Sequence, residues 1–494
     1  MPDNSFDSHG GYSGSALPID NQLFLAYTGN VRDSNWGRHS FQLGAWMDKN
    51  GNITKIPTPL ISSPPPGYTQ EIRDPQLIAY DDGYLLIVGA QTEQKQGRIL
   101  TYYSKDLQNW QFLGTLGFTE EEMGFMIECP NLLFVNGKAL LVFCPQGLSH
   151  EIHSYSNIYP NTYVIGQTFD FEKNELSDPT HIKNIDEGFD IYATHCFSDE
   201  KGRTLAISWI GLPEISYPTD EEGWAHCLSI VKELTIEKEQ LYQRPVKETA
   251  QLRKGKPYHF SGLETTIDAE INQYELQLEF DYSQKGTILL FADEQQKHGL
   301  TLSFDMIHGK MSMDRSHAGK SFAENFGTVR EFSIEKKPLK LQIFVDRSVV
   351  EVFVNDGQQT ATARVFPKDD QTGLYIKSDR EFKGKLGHLR NMNKERMKKM
   401  AVKLTDVAKK AGVSPTTVSR VINNYGSLSQ KTIDKVNQAM KELNYQPNSL
   451  ARSLQGKNTQ LIGLIFPTVA NPFFGELVEQ LESKLFDLGY RSIL

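Results

Sequence analysis

One short pattern recurs four times in the first two hundred residues, and it limits what this chain can fold into more than any other feature. Ser13-Gly14-Ser15-Ala16 leads to Asn21-Gln22 and then Leu23-Phe24-Leu25-Ala26-Tyr27. Arg73-Asp74-Pro75 leads to Asp81-Asp82-Gly83 and then Tyr84-Leu85-Leu86-Ile87-Val88. Glu128-Cys129-Pro130 leads to Asn136-Gly137 and then Ala139-Leu140-Leu141-Val142-Phe143. Asp190-Ile191-Tyr192-Ala193 leads to Asp199-Glu200-Lys201-Gly202 and then Leu205-Ala206-Ile207-Ser208-Trp209. Each unit reads as a polar entrance, a strand, a tight turn and a second strand, the signature of a β-hairpin. Units recurring every 55 to 65 residues fit the blades of a β-propeller with loops.

Equivalent blades place their entrances at one end, so Ser13, Asp74, Glu128 and Asp190 are expected to ring a single mouth. Two of these entrances carry the makings of acid–base chemistry. Glu128 opens onto an apolar run, Asn131-Leu132-Leu133-Phe134-Val135, and a carboxyl group among apolar neighbours resists ionisation and donates a proton near neutrality. Asp74 follows Arg73, whose charge favours the carboxylate. Two carboxyl groups tuned apart are what cleavage of a glycosidic bond requires. The plainer alternative is a set of acids that cap turns at strand ends, and a shared mouth argues against it. In gapless register Asp74 aligns with Cys129 rather than with Glu128, so the two acids are expected to project differently.

After the repeat, Gly211-Leu212-Pro213, Tyr217-Pro218 and Arg244-Pro245 suggest a connector over residues 221–255. From 256 the pattern alternates with period two, as in Leu276, Leu278 and Phe280. Leu339-Lys340-Leu341-Gln342-Ile343-Phe344-Val345 returns as Val349-Val350-Glu351-Val352-Phe353-Val354 and ends in Asn355-Asp356-Gly357. Residues 256–392 are therefore expected to form a β-sandwich.

Charge then changes sign. The 494-residue chain has a net charge of −9, yet residues 394–457 carry 13 Lys/Arg against 4 Asp/Glu. An acidic body joined to a basic module implies two jobs. Residues 393–400 form a charged junction, after which strands give way to helices. Leu404, Val407, Ala408 and Ala411 share one face of a short helix, Gly412-Val413-Ser414 is a turn, and Pro415 opens a second helix that Ser414 caps. A third helix, Gln430 to Leu443, completes a trihelical core through Ile433, Val436, Ala439, Met440 and Leu443. Helix, glycine turn and helix, with Thr416, Thr417 and Arg420 exposed at the start of the second, suit the major groove of DNA. Residues 458–494 read as the opening of an α/β domain: the strand Leu461-Ile462-Gly463-Leu464-Ile465-Phe466, a helix from Asn471 to Leu488, and a further strand at the end. No run of 18 apolar residues is present, so no membrane span is expected. The opening residues do not resemble a signal peptide, and Cys129, Cys144, Cys196 and Cys227 are scattered without CxxC spacing, which fits a reducing, cytoplasmic setting. His9, His39, His195 and His226 lack ligand spacing, and no metal or cofactor is implied.

Residues 1 to about 392 resemble glycoside hydrolase family 32. The matching stretches are Phe6-Asp7-Ser8-His9-Gly10-Gly11-Tyr12-Ser13-Gly14-Ser15-Ala16, Arg73-Asp74-Pro75, Glu128-Cys129-Pro130, Ser208-Trp209-Ile210-Gly211 and Phe344-Val345-Asp346-Arg347-Ser348-Val349-Val350-Glu351-Val352-Phe353. The resemblance implies a mainly β fold, a five-bladed propeller followed by a β-sandwich. It implies hydrolysis of the β-fructofuranosyl bond of sucrose 6-phosphate or sucrose by a retaining two-carboxylate mechanism. Glu128 would be the acid/base and Asp74 the stabiliser of the transition state. Tyr12, Ser13, Trp36, Arg73, Cys129, Asp190, Tyr192 and Trp209 would bind substrate, and Arg38, His9 or Lys377 are candidates to meet a phosphate. One departure stands out. The family's nucleophile belongs to an Asn-Asp-Pro-Asn-Gly-like motif on the first blade, and no such motif occurs in this sequence. The propeller over residues 1–220 is accordingly expected to show four blade units and to be inactive or nearly so.

Residues 401–457 resemble the DNA-binding and hinge region of LacI-type repressors, through Leu404-Thr405-Asp406-Val407-Ala408, Thr417-Val418-Ser419-Arg420-Val421 and Tyr445-Gln446-Pro447-Asn448. The resemblance implies contacts to operator DNA from Thr405, Pro415, Thr416, Thr417, Arg420, Asn423 and Ala451, with Leu454 wedging into the minor groove. It also makes residues 458–494 the start of a truncated sugar-sensing domain. Three origins fit the pairing: a hydrolase gene read through into a neighbouring repressor gene, a genuine enzyme-regulator, or a non-catalytic sugar-binding propeller that tethers a DNA-binding module.

Overall fold

A computed structural model describes residues 5–390, 404–422, 429–442, 461–463 and 491–493. The chain divides into two compact units, Met1–Arg390 and Asn391–Leu494.

The first unit opens with four antiparallel sheets. The first holds β1 (Gly11–Ile19), β2 (Gln22–Arg32), β3 (Arg38–Met47) and β4 (Ile53–Lys55). The second holds β5 (Tyr68–Tyr80), β6 (Gly83–Thr92), β7 (Gly97–Ser104) and β8 (Gln111–Thr115). The third is built from β9 (Met126–Val135), β10 (Lys138–Gln146) and β11 (Thr162–Gly166). A small hairpin, β12 (Phe169–Asp170) with β13 (Glu175–Leu176), follows, and β14 (Lys183–Asn184) closes the third sheet. The fourth holds β15 (Ile191–Ser198), β16 (Thr204–Ile210), β17 (Cys227–Leu228), β18 (Lys232–Glu237) and β19 (Gln240–Pro245). The four hairpins of the repeat are therefore the inner strand pairs of four propeller-like blades. The stretch expected as a connector over 221–255 instead supplies the outer strands of the fourth blade, since β18 pairs with both β16 and β19. The one proline of this stretch, Pro245, is the last residue of β19 and so ends the strand rather than interrupting it.

Side-chain alternation joins the blades. Leu86, Val88 and Leu100 face Phe24 and Ala26 of the first sheet. Leu85, Ile87 and Ile99 face Leu132, Leu141 and Phe143 of the third. Leu133, Val135, Leu140 and Val142 pack on Cys196, Ala206 and Ile210 of the fourth.

Each inner strand is broken at its entrance. Register shifts fall between Tyr12 and Gly14, Arg73 and Gln76, Glu128 and Asn131, and Tyr192 and His195. Asp74, Cys129 and Ala193 take φ of 63°, 47° and 47°, the left-handed region that non-glycine residues rarely occupy. These are β-bulges, which bend a strand and re-aim its side chains. Asp74 and Cys129 hold equivalent places, as the gapless register implies, and Glu128 precedes its bulge by one residue.

The C-terminal β region of this unit is one ten-stranded sheet that curls over a single core of Leu276, Leu278, Ile288, Leu290, Ile343 and Val352 among others. Its last strand, Gly373–Leu389, pairs on one edge with Arg253–Asp268. On its other edge it pairs with Lys285–Ala292 up to Ser378 and with Gln273–Phe280 from Phe382. The sheet thus forks between those points, where the alternation suggests two separate layers of a sandwich.

In the second unit, α1 (Leu404–Ala411), α2 (Pro415–Ile422) and α3 (Gln430–Glu442) enclose Val407, Ala408, Ala411, Val418, Val421, Val436 and Ala439. Ser414 caps α2, its Oγ accepting the amide of Thr417 at 3.1 Å. Leu461–Gly463 and Arg491–Ile493 pair in parallel, the arrangement a βαβ unit requires. Among the described residues no helix is long and apolar enough to cross a membrane.

Candidate active site

The bulges gather charge at one place. Tyr12, Arg73, Glu128 and Tyr192 each precede the bulge of their own strand, and three of them meet. Arg73 Nε donates to Glu128 Oε1 at 2.9 Å, and the Tyr192 hydroxyl donates to Glu128 Oε2 at 2.6 Å. Glu71 lies two residues before Arg73, on the same strand face. Its carboxylate accepts from both Arg73 and Arg38, and the Arg38 guanidinium lies over the Tyr12 ring at 5.6 Å. The result is a chain of alternating charge from Arg38 through Glu71 and Arg73 to Glu128.

Asp74 sits behind this chain. It is buried, and its Oδ2 accepts from the amide of Cys129 at 3.0 Å and from the thiol at 3.5 Å. Its own amide donates to Thr28 Oγ1 at 3.0 Å. Burial pushes the Asp74 carboxyl up to about 6, the charge of Glu128 adds to that, and Arg73 opposes it. Burial likewise lifts the Cys129 thiol well above its ordinary value. The sequence suggests apolar surroundings for Glu128 and an arginine for Asp74. The structure exchanges them: the arginine's hydrogen bond goes to Glu128, and the apolar burial falls on Asp74. A bulge explains the exchange, because it turns Asp74 inward while Arg73 points across to the next blade.

Trp209 lies beside Tyr192, ring centroids 6.3 Å apart, and Tyr159 approaches Tyr192 from another side at 5.9 Å. Trp36 is 64% exposed, edge-on to His9 and under the Arg32 guanidinium. Ser13 occupies the bulge of β1. Two expected residues lie elsewhere. Asp190 is fully buried away from this cluster: Arg315 Nη1 at 3.0 Å, the Arg364 amide at 2.8 Å and the Tyr217 hydroxyl at 2.9 Å all donate to it. It is a latch between the fourth blade and the C-terminal sheet, because its cationic partner lies 125 residues on. Ala193, at the fourth bulge, takes the equivalent place. Lys377 sits in the C-terminal sheet facing Glu264. Sequence reading missed Glu71, which the alternation of a strand through Arg73 signals.

In the second unit Pro415 and Arg420 are exposed and Thr417 is half-buried. Thr405 and Thr416 lie in α1 and α2. Asn423, Ala451 and Leu454 lie outside the described residues, as does Leu443.

Residues 1–245 match the glycosyl hydrolases family 32 N-terminal domain and residues 237–392 the family 32 C-terminal domain. The sucrose-6-phosphate hydrolase of Streptococcus mutans is 48% identical over 379 residues, 76% of this chain and 78% of that protein. The chain belongs to glycosyl hydrolase family 32. Another member, the sucrose-6-phosphate hydrolase of Pediococcus pentosaceus, is 44% identical over 76% of each chain. The solved sucrose-6-phosphate hydrolase of Lactobacillus gasseri superposes with a TM-score of 0.74 at 39% identity, covering 79% of this family 32 chain and 80% of that one. Beyond the family 32 domains, residues 403–448 match bacterial regulatory proteins of the lacI family.

Proposed function

We propose that the mouth at Glu128 binds the β-fructofuranosyl unit of sucrose 6-phosphate or sucrose and is built for its retaining hydrolysis. The observation that carries this is the placement of Glu128 between Arg73 and Tyr192, beside the protonatable, buried Asp74. Glu128 gives its proton to the glycosidic oxygen as the bond to the fructosyl carbon breaks. Asp74 stabilises the charge that develops on the ring, and Arg73 orients Glu128. The retaining route also needs a nucleophilic carboxylate to form the fructosyl-enzyme. The sequence carries no Asn-Asp-Pro-Asn-Gly motif to provide one, so the chain alone binds the sugar and turns it over at or near the blank rate.

The test is titration and hydrolysis of sucrose 6-phosphate by the purified chain, with Arg73→Ala and Glu128→Gln alongside. Binding that weakens at least tenfold in Arg73→Ala, with no turnover in any form, is expected. Hydrolysis that disappears in Glu128→Gln would overturn the missing-nucleophile reading while keeping the acid/base assignment. Absence of binding would overturn the site.

A second reading concerns the lacI-family segment. We infer that α2, with Arg420 exposed and the helix capped at Ser414, enters the major groove of duplex DNA. Affinity that falls steeply between 50 and 200 mM salt, roughly, and that drops again in Arg420→Ala is the check. Salt-insensitive binding would speak against it.

A further inference from the structure

The rim of the mouth holds a surplus of positive charge. Arg32 ends β2 and Arg38 opens β3, and the two are direct partners across the antiparallel ladder. Like charges placed directly opposite one another are destabilising, so an anion between them is favoured. Asp33, the next acid in sequence, is committed to its own turn. Its Oδ1 accepts the amides of Asn35 and Gly37 at 2.9 and 2.7 Å, and its Oδ2 meets His39 at 3.2 Å. Arg32 Nη1 donates to the Trp36 carbonyl at 3.2 Å, and among the described residues no carboxylate pairs with Arg32. Arg38 Nη1 goes to Glu71, while its Nε is buried without a partner among the described residues. Arg73 draws on the same Glu71 oxygen.

Arg32, Arg38 and Arg73 thus face only Glu71 and Glu128, and one cation is left over. The surplus lies on the outward side of Glu128. The chain of ion pairs runs from Glu128 through Arg73 and Glu71 to Arg38, and the side-chain exposure rises from 14% at Arg73 to 34% at Glu71. Beside its end stands the exposed Trp36. If Glu128 gives its proton to the glycosidic oxygen, the fructosyl unit lies inward and the leaving hexose lies along this rim.

We propose that Arg38, with Arg32 beside it, is the specificity-determining group for a phosphate ester on the leaving hexose, and that Glu71 holds it in reserve. A phosphate monoester brings nearly two negative charges and oxygens that a guanidinium fork fits. Arg38 exchanges Glu71 for the phosphate, Glu71 then belongs to Arg73 alone, and the surplus charge is neutralised. A hexose without phosphate offers Arg38 no better partner than Glu71, so the pair stays closed. The inference rests on the reading of Glu128 as the sugar site, and it adds which form of the sugar the rim selects and through which residues.

The test titrates the purified full chain with sucrose 6-phosphate and with sucrose. The phosphorylated sugar should bind about tenfold tighter or more, the worth of one charge-assisted pair of hydrogen bonds. Arg38→Met should bring that ratio close to one, chiefly by weakening the phosphorylated sugar. Arg38→Lys, which keeps the charge and loses the fork, should fall between. Glu71→Gln should widen the ratio, because the phosphate no longer competes with a carboxylate for Arg38; a Glu71 that merely braces the rim would narrow it or leave it unmoved. Equal affinity for the two sugars, with both weakened by Arg73→Ala, would leave the sugar site standing and overturn this inference. Equal losses for both sugars in Arg38→Met, or a ratio that Glu71→Gln fails to widen, would overturn it as well. Binding of neither sugar would remove the site and this inference together.

Discussion

Asp74 and Asp190 are both acids at blade entrances, and both are more than nine-tenths buried, yet their surroundings make them opposites. Asp190 has a cation of its own: Arg315 pairs with it, and Tyr217 and the Arg364 amide complete its shell. Asp74 has none to itself, because Arg73 is divided between Glu128 and Glu71. A buried carboxylate with a full set of donors is a fastener. One with an amide and a thiol for company holds its proton up to about pH 6 and is fit for chemistry. Burial alone does not make the two acids alike; the ownership of the nearest cation sets them apart.

The largest effect should come from taking that cation away. Arg315→Leu leaves the buried Asp190 without its cation, and breaking a buried pair costs about 3–5 kcal/mol. Urea unfolding should register the loss, and Asp190→Asn added to it should recover a part, since the unpaired carboxyl is then gone. A loss under ~1 kcal/mol, as for an exposed pair, would break the contrast.

Asp74 should respond to pH instead. Its folded pKa lies above the unfolded value, so the native state binds more protons between about pH 4 and 6. Its contribution is fully present below about pH 4 and is lost as pH rises through about 6. A carboxyl raised from about 4 to about 6 changes stability by ~3 kcal/mol across that window. Asp74→Asn should remove this slope and raise stability near neutrality by up to that amount, read from urea midpoints at acid and neutral pH. An unchanged slope would place the raised acid elsewhere, with Glu187 and Glu351, each pushed up to about 7 by burial, the next to substitute.

The same contrast marks what the sequence could disclose. The hairpins, their order, and the acids and arginine of two entrances are local: Asp81-Asp82-Gly83 and Asn136-Gly137 are turn signals, and Arg73-Asp74-Pro75 and Glu128-Cys129-Pro130 sit at strand starts. The bulges are not local in this sense, because aspartate, cysteine and alanine at positive φ leave no residue-type mark; only the shared offset of Asp74 and Cys129 hints at them. Analogy of position makes Asp190 a mouth residue, whereas the partner that decides its role lies in a different sheet. The fourth blade's outer strands escape a reading of the sequence although Leu234, Ile236 and Leu241 alternate, because the surrounding prolines suggest a connector. The helices Leu404–Ala411, Pro415–Ile422 and Gln430–Glu442 are legible, since their core residues repeat at helical spacing.

A smaller effect sharpens the comparison, because each of two acids holds a tyrosine. Tyr217 donates to Asp190 at 2.9 Å, and Tyr192 donates to Glu128 at 2.6 Å. Removing a hydrogen bond to a buried charge costs about 1.5–3 kcal/mol, so Tyr217→Phe should fall in that range, with Arg315 still in place to limit it. Glu128 retains 18% of its side-chain exposure, and water can replace the lost donor there. Tyr192→Phe should therefore cost under ~1 kcal/mol of stability while weakening sugar binding, because Glu128 is freed to swing away from Arg73. Equal stability losses from the two phenylalanines would mean that the mouth is as dry as the latch.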